Sequence, residues 1–326
     1  MDDRALWKLM GETHGAIAAY YRPMWRAFTD EGGRMLLAAF AHDPKAVTPA
    51  YLRVRDPYTA VEVYQTQLAA ATEMGGLVEE KPGEYRLTEV GREKTRRFIE
   101  EARAAMAEAD PLPPADGERL AHLLGRLVQA ALDTPPPPEP WAIGIGYRLM
   151  PASTPPLPYI EQAISCLYGY RDDAHLAAWR PSGLSAPALE SLTFLWRGEA
   201  DSLDALVERL AHRGHPRRVY AEALAELRRR GLVEGPDDAP RLTEAGQRFR
   251  DQVEADTDRL FFAPWACLNE AEKDEAAHLL IRLQDGLSGS LEPGSRGSPA
   301  RPAVGGGVGR TGGGASGADK CAGGDG

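Results

Sequence analysis

The chain repeats itself. Gly76-Leu77-Val78-Glu79, with Arg86-Leu87-Thr88-Glu89-Val90-Gly91 beginning ten residues after its glycine, returns as Gly231-Leu232-Val233-Glu234 and Arg241-Leu242-Thr243-Glu244-Ala245-Gly246. The offset is the same at both blocks (231 − 76 = 155 and 241 − 86 = 155). Further on, Ala121-His122-Leu123-Leu124-Gly125-Arg126-Leu127 matches Ala277-His278-Leu279-Leu280-Ile281-Arg282-Leu283 at 277 − 121 = 156. Three blocks in one order at a nearly constant offset read as a duplication, so the fold must contain the same supersecondary unit twice.

Each block has a local meaning. A helical pattern ends at Gly76 or Gly231, where glycine closes a helix in the left-handed conformation. Leu-Val-Glu then reads as a short strand, and Lys81-Pro82-Gly83 or Gly235-Pro236-Asp237-Asp238 as a turn. Tyr85-Arg86-Leu87 or Arg241-Leu242 is the return strand. Thr88 and Thr243 are placed to cap the helices that follow, from about Glu89 to Glu108 and from about Glu244 to Phe262. Upstream, Thr48-Pro49 and Ser202-Leu203-Asp204 open short helices, the second reaching Ala211. A further helix opens at Asp56-Pro57 in the first copy and at His215-Pro216 in the second. Helices followed by a hairpin and a long helix form the core of a winged helix. The expected fold is therefore mainly α with small β-hairpin wings, a tandem duplicated winged helix-turn-helix forming an intramolecular pseudo-dimer.

Composition marks the boundaries. The first repeat spans residues 1–132 and the second 159–287, joined by a Pro-rich linker over 133–158 that includes the four prolines Pro135 to Pro138. Within that linker, Trp141 to Met150 reads as an apolar, irregular segment, and a helix runs from Tyr159 to about Ala178. Residues 288–326 are rich in Gly, Ser and Pro and too poor in large apolar side chains to fold, so a disordered tail is expected. No apolar run is long enough for a membrane span, and the three scattered cysteines form no disulfide framework, which suits a reducing cytoplasm.

The hairpin followed by Arg241-Leu242-Thr243-Glu244-Ala245-Gly246 and a long helix resembles the MarR-type winged-helix regulators, over residues 36–132 and 190–287. Leu6-Trp7, His14, Tyr20-Tyr21 and Pro23 carry a closer likeness, with Gly169-Tyr170-Arg171-Asp172-Asp173-Ala174-His175 and Asp256-Thr257-Asp258. They resemble the SalK-like helix-turn-helix group. The SalK-like likeness implies a tandem architecture and no agreed activity; the MarR-type resemblance implies a transcriptional regulator that binds double-stranded DNA and responds to a small ligand. It also implies recognition helices on successive major grooves, here supplied by one chain acting as a monomeric pseudo-dimer. The alternative is a small-molecule-binding protein, or an enzyme, on the same scaffold after loss of DNA binding.

Charge divides the two copies. The net charge is −10, so any phosphate contact must come from a local basic patch acting against the field of the whole molecule. Arg213, His215, Arg217 and Arg218 crowd the start of the second recognition helix and are the candidate DNA contacts. Arg228, Arg229 and Arg230 read as cations that complement the end of that helix. The first copy has no Lys or Arg from Pro57 to Gly76, and both wing tips are acidic where a minor-groove arginine is expected.

No catalytic motif, metal signature or cofactor fingerprint is present. The candidate ligand residues are Trp7, His14 and Tyr21 on the N-terminal helix, with Arg171, Asp172 and His175 on its counterpart. Converging in one central cavity, they would bind a small aromatic or anionic compound with Arg171 as its charge partner. Asp172 and His175, three apart, share a helix face that could alternatively hold a metal. The aromatics Trp7, Tyr20, Trp25, Trp179, Phe261, Phe262 and Trp265 are expected to build the interface between the copies, with His122 and His278 as matched positions on interlocking helices.

Overall fold

Thirteen α-helices and two small hairpins follow one another in the computed structural model, which describes residues 1–134 and 141–290. The first part runs α1 (Asp3–Asp30), α2 (Gly33–His42), α3 (Pro49–Arg55), α4 (Val61–Glu73), β1 (Leu77–Lys81), β2 (Glu84–Leu87), α5 (Glu89–Ala109) and α6 (Pro114–Asp133). A short helix α7 (Trp141–Tyr147) precedes α8 (Pro156–Trp179), α9 (Ala186–Trp196), α10 (Leu203–Arg209) and α11 (Arg217–Arg229). The order closes with β3 (Val233–Glu234), β4 (Arg241–Leu242), α12 (Glu244–Phe262) and α13 (Glu270–Ser290). Among the described residues no helix is long and apolar enough to cross a membrane.

Polar caps explain where several helices begin. The Thr48 hydroxyl accepts the Tyr51 N–H at 3.0 Å, and Ser202 accepts that of Ala205 at 3.2 Å. Thr88 and Thr243 each accept the N–H three residues on, from Gly91 and Gly246, both at 3.0 Å. Each threonine also donates back to the end of the preceding helix, Thr88 to Gly75 O at 2.7 Å and Thr243 to Gly231 O at 2.6 Å. One hydroxyl thus ties the helix before each hairpin to the helix after it.

The hairpins are antiparallel pairs, Leu77 opposite Leu87 and Val233 opposite Leu242. They correct the alignment read from sequence. The left-handed residue that closes α4 is Gly75 (φ 75°), not Gly76, whereas Gly231 (φ 68°) closes α11 as expected. The residue matching Gly231 is therefore Gly75, and buried Leu77 matches buried Val233. From closing glycine to capping threonine the first hairpin takes one residue more (88 − 75 = 13 against 243 − 231 = 12), absorbed by an irregularity between Glu79 and Lys81.

Other boundaries also move. The helix expected to open at Asp56-Pro57 begins at Val61 and has thirteen residues, the same as α11. Asp56 instead ends α3, because its carboxylate accepts hydrogen bonds from Thr59 (2.7 Å) and Tyr64 (2.8 Å) and shapes the turn. The helix opening at Ser202 stops at Arg209, short of Ala211. Residues 141–147 of the expected linker are helical, because buried Asp173 accepts the N–H groups of Ala142 (2.9 Å) and Ile143 (3.1 Å) at their N-terminus. Residues 288–290 belong to α13; the rest of the expected disordered tail and the four prolines lie outside the described residues.

One core lies where α1, α6, α8 and α13 meet, built from residues such as Leu6, Met10, Leu124, Ile164, Leu167 and Leu283. α1 packs against α13, and α8 against α6. Three ion pairs join α6 to α13: Arg126 with Glu272, Arg282 with Asp116 (2.7 Å) and Arg119 with Glu275 (2.7 Å). Two smaller cores sit under the hairpins, one around Leu36, Leu68 and Leu77, the other around Leu192, Leu224 and Leu227.

Candidate nucleic-acid interface

The helices that precede the hairpins present contrasting outer faces. In α11, Tyr220, Ala223, Leu224 and Leu227 are buried, so helical spacing turns Arg218, Glu222, Ala225 and Arg229 outward. In α4, Tyr64, Leu68 and Ala71 are buried, which turns Glu62, Thr66, Ala69 and Glu73 outward. Both helices have the same length, so positions correspond at an offset of 156 (217 − 61). Arg218 then stands where α4 has Glu62, and Arg229 where it has Glu73. The outward stripe changes from acidic to basic at both ends.

Arginines around α11 have different commitments. Arg218 and Arg229 are exposed and form no ion pair among the described residues. Arg217 is exposed and paired with Asp204 on α10. Arg228 donates to the Gly235 carbonyl at 2.7 Å and pairs with Asp237 at 2.8 Å, holding the second hairpin against its helix. Arg230 donates to the carbonyls of Ser182 (2.8 Å) and Gly183 (2.7 Å). The three arginines read as one group that complements a helix end thus separate: two brace neighbouring loops, and Arg229 faces outward. The helix period carried that distinction, because Arg229 cannot share a face with the residue on either side of it.

Arg213 and His215 point inward. Arg213 pairs with Glu190 at 2.7 Å and with Asp56 at 3.3 Å, and its guanidinium lies 5.5 Å from the centre of the Tyr58 ring. His215 Nε2 lies 2.9 Å from the Tyr58 carbonyl oxygen. Burial pushes the Glu190 carboxyl up to about 7 although Arg213 acts to lower it, and burial likewise raises the Tyr58 phenol. These residues join the α3–α4 turn to the α10–α11 turn and are not presented to solvent as phosphate contacts. The acids of the hairpins are largely spent as well: Glu80 on Arg86 (2.5 Å), Glu84 on Lys81 (3.6 Å) and Glu234 on Arg241 (3.6 Å).

The candidate ligand residues have partners on α8, α3 and α12, and the contacts adjoin, since Arg4 and Arg171 both pair with Asp258. His14 and Tyr21 meet Glu161 and Ser165: the Tyr21 hydroxyl donates to Glu161 at 2.8 Å, and His14 Nε2 lies 3.1 Å from Ser165 Oγ and 3.3 Å from Glu161. Burial raises the Glu161 carboxyl, but the His14, Tyr21 and Ser165 hydrogen bonds outweigh it and hold it below the usual range. Neither Glu161 nor Ser165 stood out in the sequence, since nothing local marks a residue whose partners lie 140 positions away. Arg171 and His175 turn to α12. Arg171 pairs with Asp258 at 2.8 Å, and His175 Nδ1 lies 3.2 Å from Thr257 Oγ1. Asp172 pairs with Arg55 at 2.9 Å. Trp7 packs against Tyr168 and Phe261 with ring centres 4.6 and 4.9 Å apart.

Arg171, Asp172 and His175 have carboxylate, arginine and hydroxyl partners of their own. Two surface depressions, of about 550 and 430 Å³, are lined by other side chains, including Glu118, His122 and Tyr159 in the larger. No cluster of His, Cys, Asp or Glu among the described residues has the arrangement to hold a metal. Of the aromatics, Phe261, Phe262 and Trp265 join Trp7, Trp179 faces Tyr58, and Trp25 packs with Phe28 and Phe98 instead. His122 and His278 are both exposed.

Short helices packed on a third, with a hairpin and a long helix after it, define a protein of the helix-turn-helix class. The chain belongs to a helix-turn-helix family, whose model matches residues 100–290. No curated protein and no solved structure matches it.

Proposed function

We propose that the protein is a winged-helix DNA-binding regulator built as an internal pseudo-dimer, in which only the second unit carries the groove-reading surface. The outward stripe of α11 carries this reading: Arg218 and Arg229 stand free at positions where α4 has Glu62 and Glu73. Phosphate neutralisation supplies most non-specific affinity, so a helix with two acids on its outer face is repelled and one whose two arginines outnumber its single acid, Glu222, is attracted. The proposed contacts are Arg217, Arg218 and Arg229; Arg213 and His215 are left out because they are held inside.

The pseudo-dimer has its own support. At an offset of 156, Arg126 corresponds to Arg282, Asp116 to Glu272 and Arg119 to Glu275. The Arg126–Glu272 and Arg282–Asp116 pairs are then one contact made twice, and Arg119–Glu275 joins equivalent positions across an axis. An isologous interface has that pattern.

The test is a fluorescence titration of duplex DNA at stepped salt concentrations. Replacing Arg217 and Arg218 with Ala should make the log K against log salt slope shallower by up to about two, and Arg229→Ala by roughly 0.9 more. Glu62→Ala should leave the slope unchanged. A slope indifferent to all three arginines would remove α11 from the interface. A second reading, a binding protein on the same scaffold, draws on the uncharged and acidic face of α4; it requires that no duplex bind even at low salt.

A further inference from the structure

We infer that one chain reads a single DNA site lacking twofold symmetry, because the reading ends of its two recognition helices are fastened together. The inference rests on the DNA-binding reading above. In helix-turn-helix proteins the N-terminal residues of the recognition helix meet the base edges, and a twofold reader places those ends about 34–36 Å apart, on successive major grooves. Here the Ala60 N–H, at the cap of α4, donates to the Arg213 carbonyl at 2.8 Å. Pro216 caps α11 three residues later. At no more than about 3.6 Å per residue, the two reading ends lie within about 14 Å of each other.

The fastening has several independent parts. Gly214, at φ 73°, approaches so closely that a Cβ there would stand 2.3 Å from Val63 Cγ2. Arg213 bridges Glu190 on its own side of the junction and Asp56 on the other, and His215 holds the Tyr58 carbonyl. Flanking these, Arg180 donates to the Val54 carbonyl at 2.6 Å. Separating the turns would leave the buried Glu190 carboxylate and the half-buried Asp56 carboxylate without their common cation, the costly way to break such a contact. Charge agrees with geometry: the reading end held against α11 belongs to the helix whose outer face is acidic.

The experiment uses the full-length chain and a random-sequence duplex library at low salt. Bound duplexes are sequenced and footprinted, and the selected site is then rebuilt as inverted pairs with centre-to-centre separations stepped around about 10 base pairs. The expected selected sequence has no inverted repeat, the footprint covers roughly one helical turn, and native mass spectrometry finds one chain per copy of the site at every separation. Affinity per site should not depend on spacing. A single chain spanning an inverted pair, with affinity raised roughly a hundredfold at one-turn spacing as bivalent contact requires, would overturn the inference while leaving DNA binding intact. Failure of every duplex to bind would remove DNA binding and this inference together.

Discussion

His175 shows how one side chain on α8 couples the fold to pH. Its Nδ1 faces the Thr257 hydroxyl, and Thr257 spends its own proton on the Val253 carbonyl at 2.7 Å. The ring must therefore donate from Nδ1. Burial first, and then the charge of Arg250, push its pKa down to about 4, while Glu254 acts in the opposite sense and Arg171 and Arg197 add to the lowering. The unfolded value is about 6.5, above the folded one. Its contribution to stability is therefore complete above about pH 6.5 and is lost as pH falls toward 4, roughly 3 kcal/mol in all. Urea denaturation should show His175→Gln, which keeps a donor for Thr257, losing less stability than wild type between those limits; parallel profiles would exclude this role. Glu190, raised to about 7, has the opposite sign: its contribution is present at low pH and fades as pH rises through 7.

The helix that follows each hairpin is positioned by a glycine with no room to be anything else. A Cβ on Gly91 would stand 2.0 Å from the Gly76 carbonyl oxygen, and one on Gly246 the same distance from that of Leu232. The Thr-x-x-Gly spacing thus encodes a capped helix whose first turn lies directly on the residue that leads into the hairpin's first strand. Gly91→Ala and Gly246→Ala should each cost about 1–3 kcal/mol in chemical denaturation, since backbone must move to admit the methyl group. Gly15, inside α1 with nothing within 4 Å of a Cβ, is the control. Its replacement by Ala should stabilise by roughly 0.5–1 kcal/mol. The capping threonines and this spacing were legible in the chain. The start of α4 and the existence of α7 were not: Asp56 and Asp173 act through hydroxyls and backbone groups that a local pattern does not pair with them.

Across the whole molecule, the pairing of α6 with α13 predicts an exchangeable contact. If Arg119 and Glu275 are equivalent positions on an axis, their identities can be swapped without changing the surroundings. Arg119→Glu should lower the melting temperature by setting like charges together. Adding Glu275→Arg should restore it. A swapped variant no more stable than the single one would argue against equivalent environments. The pair is half-exposed, so the effect should shrink as salt is added. Placement of charge also matters more than its total of −10: the acids and bases around both hairpins largely neutralise one another, leaving the arginines of α11 as a local basic patch.

What the sequence determined by itself was local and periodic. Apolar spacing, turn glycines and capping threonines each act within a few residues, so most of the helices and both hairpins could be read directly. The acidic face of α4 was equally plain, because its charges stand in a helical register. Only the tertiary structure decided which arginines remain free. Arg213, His215, Arg217 and Arg218 look alike in a row, yet two are drawn into the junction by Glu190, Asp56 and Tyr58 and two stay outside. The same holds for the expected ligand pocket, where Glu161 claims His14 and Tyr21, and Asp258 and Thr257 claim Arg171 and His175. A charged side chain takes the nearest partner that offsets its desolvation, and which partner is nearest is settled by packing between distant segments.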